Sequence, residues 1–540
     1  MPRRLLAGFL VVAPSVLIAQ TSDIGPKVDR IFTRYDANTP GCTVGLGKDG
    51  KTLYTHGYGS ANLEYHIPLT DSSVMESGSV AKQFTAAAMV LLQQDGRLSL
   101  DDDIRKYLPE VPDFGNTITI RHLLTHTSGL RDQWGLLGIE GRGPGSQVHS
   151  AATTLDLVVH QKMLNFPPGS EYLYSNTGYA LAGLIIQRVS GKSLQAFMQE
   201  RLFAPLGMTH TQLRDDFTRV VPNRATAYAP SDSGYKQDMP FTNMIGNGGV
   251  LSTMSDLLKW NENLDHPTVG GPTFSHTLET RMRLTSGRTT PYALGLENVE
   301  YNGVREVSHS GSTAGYRTFL ARYPDQHVSV AVWCSNASAN PTALAHQVAD
   351  LVLTNTTRTT QAGAPSIRLP AAQLAKWAAV YRDAHTDQVM TLRAADTALV
   401  ISGTTAVVVP TAPDRFRTGT STIVFASSGG RRSFTLARAN GDTSRFEEVT
   451  AAPATIRTSE YVGRYVSDEL DVPLEIIARD GGLVLRRRPS DEFPLRPTYA
   501  DAFQAPVIGS IRFRRDARGA IDGFSIYAGR VLDVRFKRAR

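Results

Sequence analysis

The stretch Glu76-Ser77-Gly78-Ser79-Val80-Ala81-Lys82-Gln83-Phe84-Thr85-Ala86-Ala87-Ala88-Met89 sets a hydroxyl and an amine three residues apart. Val80, Phe84, Ala87, Ala88, Leu91 and Leu92 recur at the spacing of one helical face and Gly96 supplies a stop, so Ser79 opens an expected buried helix. Residues three apart on a helix are surface neighbours, which brings the Lys82 amine within reach of the Ser79 hydroxyl. In water a lysine, with a pKa of about 10.4, is protonated at neutral pH. Burial and nearby cations lower that value until the amine can take the serine proton. The helix start adds partial positive charge where an oxyanion would form. Ser-x-x-Lys alone is a common surface pattern, so its meaning depends on what the chain sets beside it.

Acyl transfer through a serine needs a base, a proton route to the leaving group and two donors facing the oxyanion. Tyr174-Ser175-Asn176 follows Pro167-Pro168-Gly169-Ser170 in a loop and then enters a helix. Tyr174 can relay the proton and the Asn176 amide can bind a substrate carbonyl, although an Asn there also fits a helix N-cap. His309-Ser310-Gly311-Ser312 precedes an expected strand, Phe319 to Tyr323. Gly311 lets an extended substrate approach the backbone, and the Ser312 N–H can join the Ser79 N–H as a second oxyanion donor. His122 and His126 have no third ligand after them, so no metal is expected, nor any other cofactor. The Gly-x-Ser-x-Gly elbow of the α/β-hydrolases is absent.

The elements that must position these residues are legible in outline. Asp23 to Tyr35 reads as a helix, and Cys42 to Leu46 and Thr52 to Tyr58 as a hairpin around Asp49-Gly50. Glycine-rich Arg131 to Val148, without periodicity, reads as an irregular loop bordering a cleft. Gly246-Asn247-Gly248-Gly249 is a backbone-dominated turn before a helix at Ser255 to Trp260. Strands Phe319 to Tyr323 and Val328 to Cys334 then precede a last helix, Pro341 to Leu353. Helices flanking antiparallel strands make an α+β domain over residues 20–354. An aperiodic linker, 355–370, follows. Beyond it Trp377, Tyr381, Asp396 and Leu399 recur as Tyr461, Tyr465, Asp480 and Leu483 at one constant offset, which argues for duplication. Each copy, 371–450 and 456–540, reads as a small antiparallel β-barrel.

The order Ser-x-x-Lys, Tyr-x-Asn, His-x-Gly resembles the serine penicillin-recognising family of class C β-lactamases, D-alanyl-D-alanine carboxypeptidases, related esterases and D-aminopeptidases. The resemblance extends to His-Leu-Leu-Thr-His-Thr-Ser-Gly-Leu at 122–130 and Gly-Gly-Val-Leu-Ser-Thr at 248–253, and covers roughly residues 25–354. It implies a β-lactamase/transpeptidase-like fold in which Ser79 is acylated, Lys82 and Tyr174 share the base work, and water releases the acyl group. It also implies that the first and last strands of the sheet are neighbours, so that Cys42 and Cys334 can bridge in an oxidising compartment. The third motif of the lactamases and carboxypeptidases usually opens with a lysine that helps hold a substrate carboxylate. Here it is His309, mostly neutral at pH 7, with Arg317 as a substitute cation. The catalytic domain with two barrels resembles the D-aminopeptidase branch, which implies release of N-terminal D-amino acids. In that branch a loop of the last barrel enters the cleft and restricts substrates to those with a free amine; by position it is the segment Arg486 to Phe493. An esterase, a D-alanyl-D-alanine carboxypeptidase or β-lactamase-like hydrolase, and an acylated sensor that never turns over are the alternatives.

At 540 residues the chain exceeds one compact core, and its apolar (41%) and charged (20%) fractions are those of an ordinary globular protein. A formal charge of +6 is too small and scattered to argue for nucleic acid. Arg3-Arg4, the apolar run from Leu5 and Ala19 read as a secretory leader over 1–19, so a periplasmic or secreted protein is expected. The run is shorter than the roughly 20 residues of a spanning helix. The expected partners are a small peptide, amide or ester substrate, without nucleic acid or stable membrane insertion; a homo-oligomer is compatible.

Overall fold

The computed structural model describes residues 24–354, 356, 365–438, 441–487 and 490–539. The expected leader, and residues 355 and 357–364 of the linker, lie outside them.

Strands β1 (Cys42–Lys48), β2 (Lys51–Tyr58), β3 (Glu297–Tyr301), β4 (Val304–Thr313), β5 (Tyr316–Tyr323) and β6 (Val328–Cys334) form an antiparallel sheet in the order β3-β4-β5-β6-β1-β2. The first hairpin thus lies against the last strand. Alternation along a strand sends successive side chains to opposite faces. Val328, Val330 and Val332 pack with Val28 of α1 (Gly25–Ile31) on one side. Ala331 and Trp333 enter the main core on the other. That core is built around α2 (Lys82–Gln94), which is buried from Lys82 to Leu92. The helix begins later than its sequence suggests: Gly78–Ala81 is a tighter 3₁₀ turn, and Ser79 sits within it.

Arg131 to Val148 is not irregular throughout. Gln133–Glu140 forms helix α3, capped by Asp132 and ended by left-handed Gly141. Its apolar face, Leu136, Leu137 and Ile139, is buried in the core of the second barrel. A two-turn helix whose apolar side meets a distant part of the chain leaves too few residues for a periodic signal. Further along the main domain come α4 (Asn176–Ser190) and α5 (Met254–Asp265).

Both C-terminal regions are closed antiparallel barrels of eight strands. The duplication is visible in one local contact. The Tyr381 hydroxyl donates to the Trp377 carbonyl (3.0 Å), and the Tyr465 hydroxyl to that of Tyr461 (2.7 Å).

The second barrel docks on the catalytic domain through buried polar contacts. Fully buried Arg131 pairs with Glu469 (2.5 Å) and donates to the carbonyls of Leu532 (2.9 Å) and Asp533 (3.2 Å). A Cβ at Gly135 would lie 2.5 Å from a Val531 methyl, so α3 approaches this barrel at a glycine. The described residues of the Arg486 to Phe493 segment do not line the cleft. Arg486 pairs with Glu475 and Glu492, while Arg487 pairs with Asp491 and donates to the Gly138 carbonyl of α3. The charges of Arg486, Arg487, Asp491 and Glu492 are satisfied on the barrel and at α3; Arg488 and Pro489 lie outside the described residues.

Cys42 and Cys334 face each other across β1 and β6 and form a disulfide spanning 292 positions. Closing so long a loop restricts the unfolded chain, by about 2–4 kcal/mol for a typical bridge. The double variant Cys42→Ser/Cys334→Ser is therefore expected to unfold at lower urea concentration by that amount, and reductant to move wild type but not the variant.

Candidate active site

Lys82 has no solvent exposure. Its Nζ lies 2.9 Å from Asn176 Oδ1, 2.9 Å from the Asn247 carbonyl and 3.1 Å from Ser79 Oγ. Two of these three neighbours only accept. A neutral amine has two N–H donors and one lone pair, so it satisfies both carbonyls and leaves the lone pair to accept the Ser79 hydroxyl proton. An ammonium would bury a full charge away from solvent. Burial accordingly holds the Lys82 pKa well below the ordinary lysine range, with Arg530 lowering it further and Asp132 opposing. The geometry can activate Ser79, which is partly open to the cleft.

Asp132 fixes the partner that orients the amine. Its Oδ2 accepts from the backbone N–H (2.7 Å) and side-chain amide (2.9 Å) of Asn176, so the amide oxygen must face Lys82. Asn176 is the first residue of α4 and Ser175 its N-cap, so its side chain is free for this work. Asp132 carries no signal in the sequence, because it falls in the glycine-rich stretch Arg131 to Val148 that reads as an irregular loop; in the structure its Oδ1 caps α3, accepting from the Trp134 N–H (3.0 Å).

Tyr174 stands over the Lys82 amine, 5.0 Å from ring centre to Nζ. Burial raises its phenol above the usual tyrosine range, with hydrogen bonding to Ser79 and the charge of Arg530 opposing. A phenol so held is protonated at neutral pH and can donate to a leaving group. His126 supports its ring at 4.0 Å, and His126 Nδ1 accepts from the Ser175 N–H (3.1 Å). His122 Nδ1 accepts from the Thr119 N–H (3.2 Å), so both histidines have backbone work of their own.

His309, Gly311 and Ser312 lie on β4, beside the Ser79 turn. His309 Nδ1 lies 2.6 Å from the Ser310 carbonyl, which can only accept, so Nδ1 carries the proton and Nε2 accepts from the Tyr292 hydroxyl (2.8 Å). Burial lowers its pKa to about 3, so the imidazole is neutral and supplies no cation. Strand and turn meet at two glycines. A Cβ at Gly311 would lie 2.1 Å from the Ser77 carbonyl and 3.1 Å from Ser79 N, and one at Gly78 2.6 Å from Ser312 N. Only glycine at both positions allows this approach, which brings the Ser79 and Ser312 N–H groups to the same cleft wall.

The cleft, about 930 Å³, is lined by Ser79, Tyr174, Asn176, His309 and Ser312 and, from the second barrel, Arg530. Arg530 sits in the turn between the strands Ile521–Ala528 and Val531–Arg538, with its guanidinium 4.5 Å over the Tyr174 ring. No sequence pattern marks it. Arg317 also lines the cleft but donates to the carbonyls of Ala314 (2.6 Å) and Tyr316 (2.8 Å) of its own turn.

Sheet, helices and a serine beside a buried amine define a serine hydrolase of the β-lactamase fold. A family model described as Beta-lactamase matches residues 28–355, and the chain belongs to that family. A D-aminopeptidase of Brucella anthropi is 27% identical over 536 residues, spanning 93% of this chain and 96% of that protein. Penicillin-binding protein 4* of Bacillus subtilis is 33% identical over 320 residues, 54% of this chain and 67% of that protein. Among solved structures, the octameric penicillin-binding protein homologue from Pyrococcus abyssi superposes with a TM-score of 0.55 at 22% identity, covering 86% of this chain and 99% of that one.

Replacing Gly311 by Ala forces the strand from the turn and displaces one oxyanion donor. Steady-state kinetics should show kcat lower by about 10²–10³-fold. Asp132→Asn puts an amide where two donors point, and should cost about 10²-fold in kcat through misplacement of Asn176.

Proposed function

We propose that this protein is an exported serine hydrolase that releases N-terminal D-amino acids from short peptides or amides through a Ser79 acyl-enzyme. The observation that carries the mechanism is the buried Lys82 Nζ within hydrogen-bond distance of two carbonyl oxygens and of Ser79 Oγ.

Ser79 Oγ attacks the substrate carbonyl carbon while its proton passes to Lys82 Nζ. The Ser79 and Ser312 N–H groups hold the oxyanion. As the C–N bond breaks, the Tyr174 phenol gives its proton to the departing nitrogen and recovers one from the Lys82 ammonium. Water then attacks the ester by the reverse relay, releasing the acid and restoring the Ser79 hydroxyl. This assigns the resting base to Lys82 and the relay to Tyr174. Asn176 holds the amine and faces the substrate carbonyl.

The substrate reading is supported by the near-complete coextension of this chain, barrels included, with the Brucella anthropi D-aminopeptidase. A free α-ammonium needs a carboxylate, and Glu297 and Asp238 line the cleft without an ion pair among the described residues, whereas Glu76 is paired with Arg214 and Arg224. An esterase is the second reading, favoured by neutral His309, which offers no fixed charge for a substrate carboxylate. Export is supported by the leader-like residues 1–19 and by the disulfide, which fits an oxidising compartment. No helix among the described residues is long and apolar enough to cross a membrane.

Paired D- and L-alanine p-nitroanilides test this reading. Turnover of the D-anilide is expected, with Ser79→Ala lowering kcat by about 10⁴-fold or more. Hydrolysis of acetate esters alone would select the esterase, and a burst of one equivalent without turnover a sensor. Only the neutral amine accepts the serine proton, so kcat/KM must fall as pH drops through the Lys82 pKa. Because burial lowers that pKa, the limb should lie far below the ordinary value of about 10.4.

A further inference from the structure

We propose that Arg530 receives a carboxylate carried by the leaving group, so that the preferred substrates are short peptides whose departing residue has a free C-terminus. This rests on the Ser79 acyl-enzyme reading, not on the preference for D-amino acids.

Four observations converge. First, the arginine is held in place by its main chain rather than by its charge. Its carbonyl accepts from Asn165 Nδ2 (3.0 Å) and from the Asp132 N–H (3.4 Å), and the next residue but one, Leu532, donates its N–H to Asn165 Oδ1 (2.9 Å). The side chain is exposed to the cleft and, among the described residues, pairs with no carboxylate. Most arginines of this barrel do: Arg479, Arg486, Arg487, Arg515 and Arg535 each pair with an acid of the barrel itself.

Second, the guanidinium stacks 4.5 Å over the ring of Tyr174, the group that hands a proton to the departing nitrogen. A charge beside that hydroxyl faces the leaving group rather than the acyl group. Third, the other basic groups near the cleft are already engaged. Lys82 is a fully buried neutral amine, and Arg317 is turned onto its own carbonyls. Fourth, His309 is neutral, with both ring nitrogens engaged by Tyr292 and Ser310. The acids of the cleft form no ion pair with Arg530 among the described residues: Glu76 is bound by two arginines, Asp238 acts on Arg317, and Glu297 lines the cleft without pairing to it. A planar guanidinium with an open face is suited to bidentate capture of a carboxylate.

The test compares D-alanyl-glycine with D-alanyl-glycinamide, which differ only in the charge of the leaving group. Wild type should favour the free acid by at least tenfold in kcat/KM. Arg530→Gln should bring that ratio to about one, and Arg530→Lys should restore part of it. Misfolding would lower both rates and leave the ratio unchanged. A wild-type ratio near one, or a ratio that survives Arg530→Gln, overturns the proposal. If neither peptide is cleaved while acetate esters are, the aminopeptidase reading fails. The ratio is then read from 4-acetoxybenzoate against 4-acetoxybenzamide, where loss of the preference in Arg530→Gln supports the proposal and its survival overturns it. If nothing acylates Ser79, the proposal falls with the reading beneath it.

Discussion

An amine removed from water is the constraint around which this molecule is arranged. Lys82 is completely buried at the start of a helix that is itself enclosed by the main core. A charged ammonium at that position would forgo its hydration and find only two fixed acceptors besides Ser79. The neutral form gives its two N–H groups to the two carbonyls and keeps its lone pair for the Ser79 hydroxyl. Desolvation, and not any pairing with an acid, dominates the lowered pKa, while the nearby Asp132 carboxylate and Arg530 guanidinium act in opposite directions. On the proposed mechanism the readiness of Ser79 to lose its proton follows from packing, so that the core and the proposed chemistry share Lys82.

Asp132 joins that chemistry to the architecture. One of its oxygens sets the Asn176 amide that receives Lys82; the other caps α3, the helix that plugs into the second barrel. Its own N–H donates to the carbonyl of Arg530. Displacing the barrel would disturb the same backbone that holds the amine. The neighbouring Arg131, enclosed with Glu469, locks this arrangement, since separating a buried pair leaves an uncompensated charge. The barrel is in this sense a wall of the cleft, delivered from the far end of the chain.

Much of this is legible in the residues. Apolar periodicity locates α2, α4 and the strands β5 and β6, and the Ser-x-x-Lys, Tyr-x-Asn and His-x-Gly patterns name side chains that fold to one cleft. The disulfide follows from the neighbouring of first and last strands that the family resemblance, rather than any pattern in the residues, implies. What stays hidden is set by contacts between distant segments. Helix α3 has too short an apolar face to be seen without the barrel it enters. Asp132 lies in a stretch that reads as irregular loop, and Arg530 looks like any residue of a hairpin turn. In the segment Arg486 to Phe493, expected in the cleft, Arg486 and Arg487 find acids close by, and the cleft is reached by a turn whose Arg530 pairs with none among the described residues. Charge density marks the wrong hairpin; an unanswered charge marks the right one.

The protonation state of Lys82 at rest is the claim on which the rest depends. Lysine labelled with carbon-13 at Cε reports it directly through the pH dependence of its chemical shift, with Lys82 assigned by its absence from Lys82→Arg. A resonance already at the neutral-amine position at pH 7, and unmoved on raising the pH, is the predicted result. A Lys82 signal that titrates near the ordinary value of about 10.4 would contradict it.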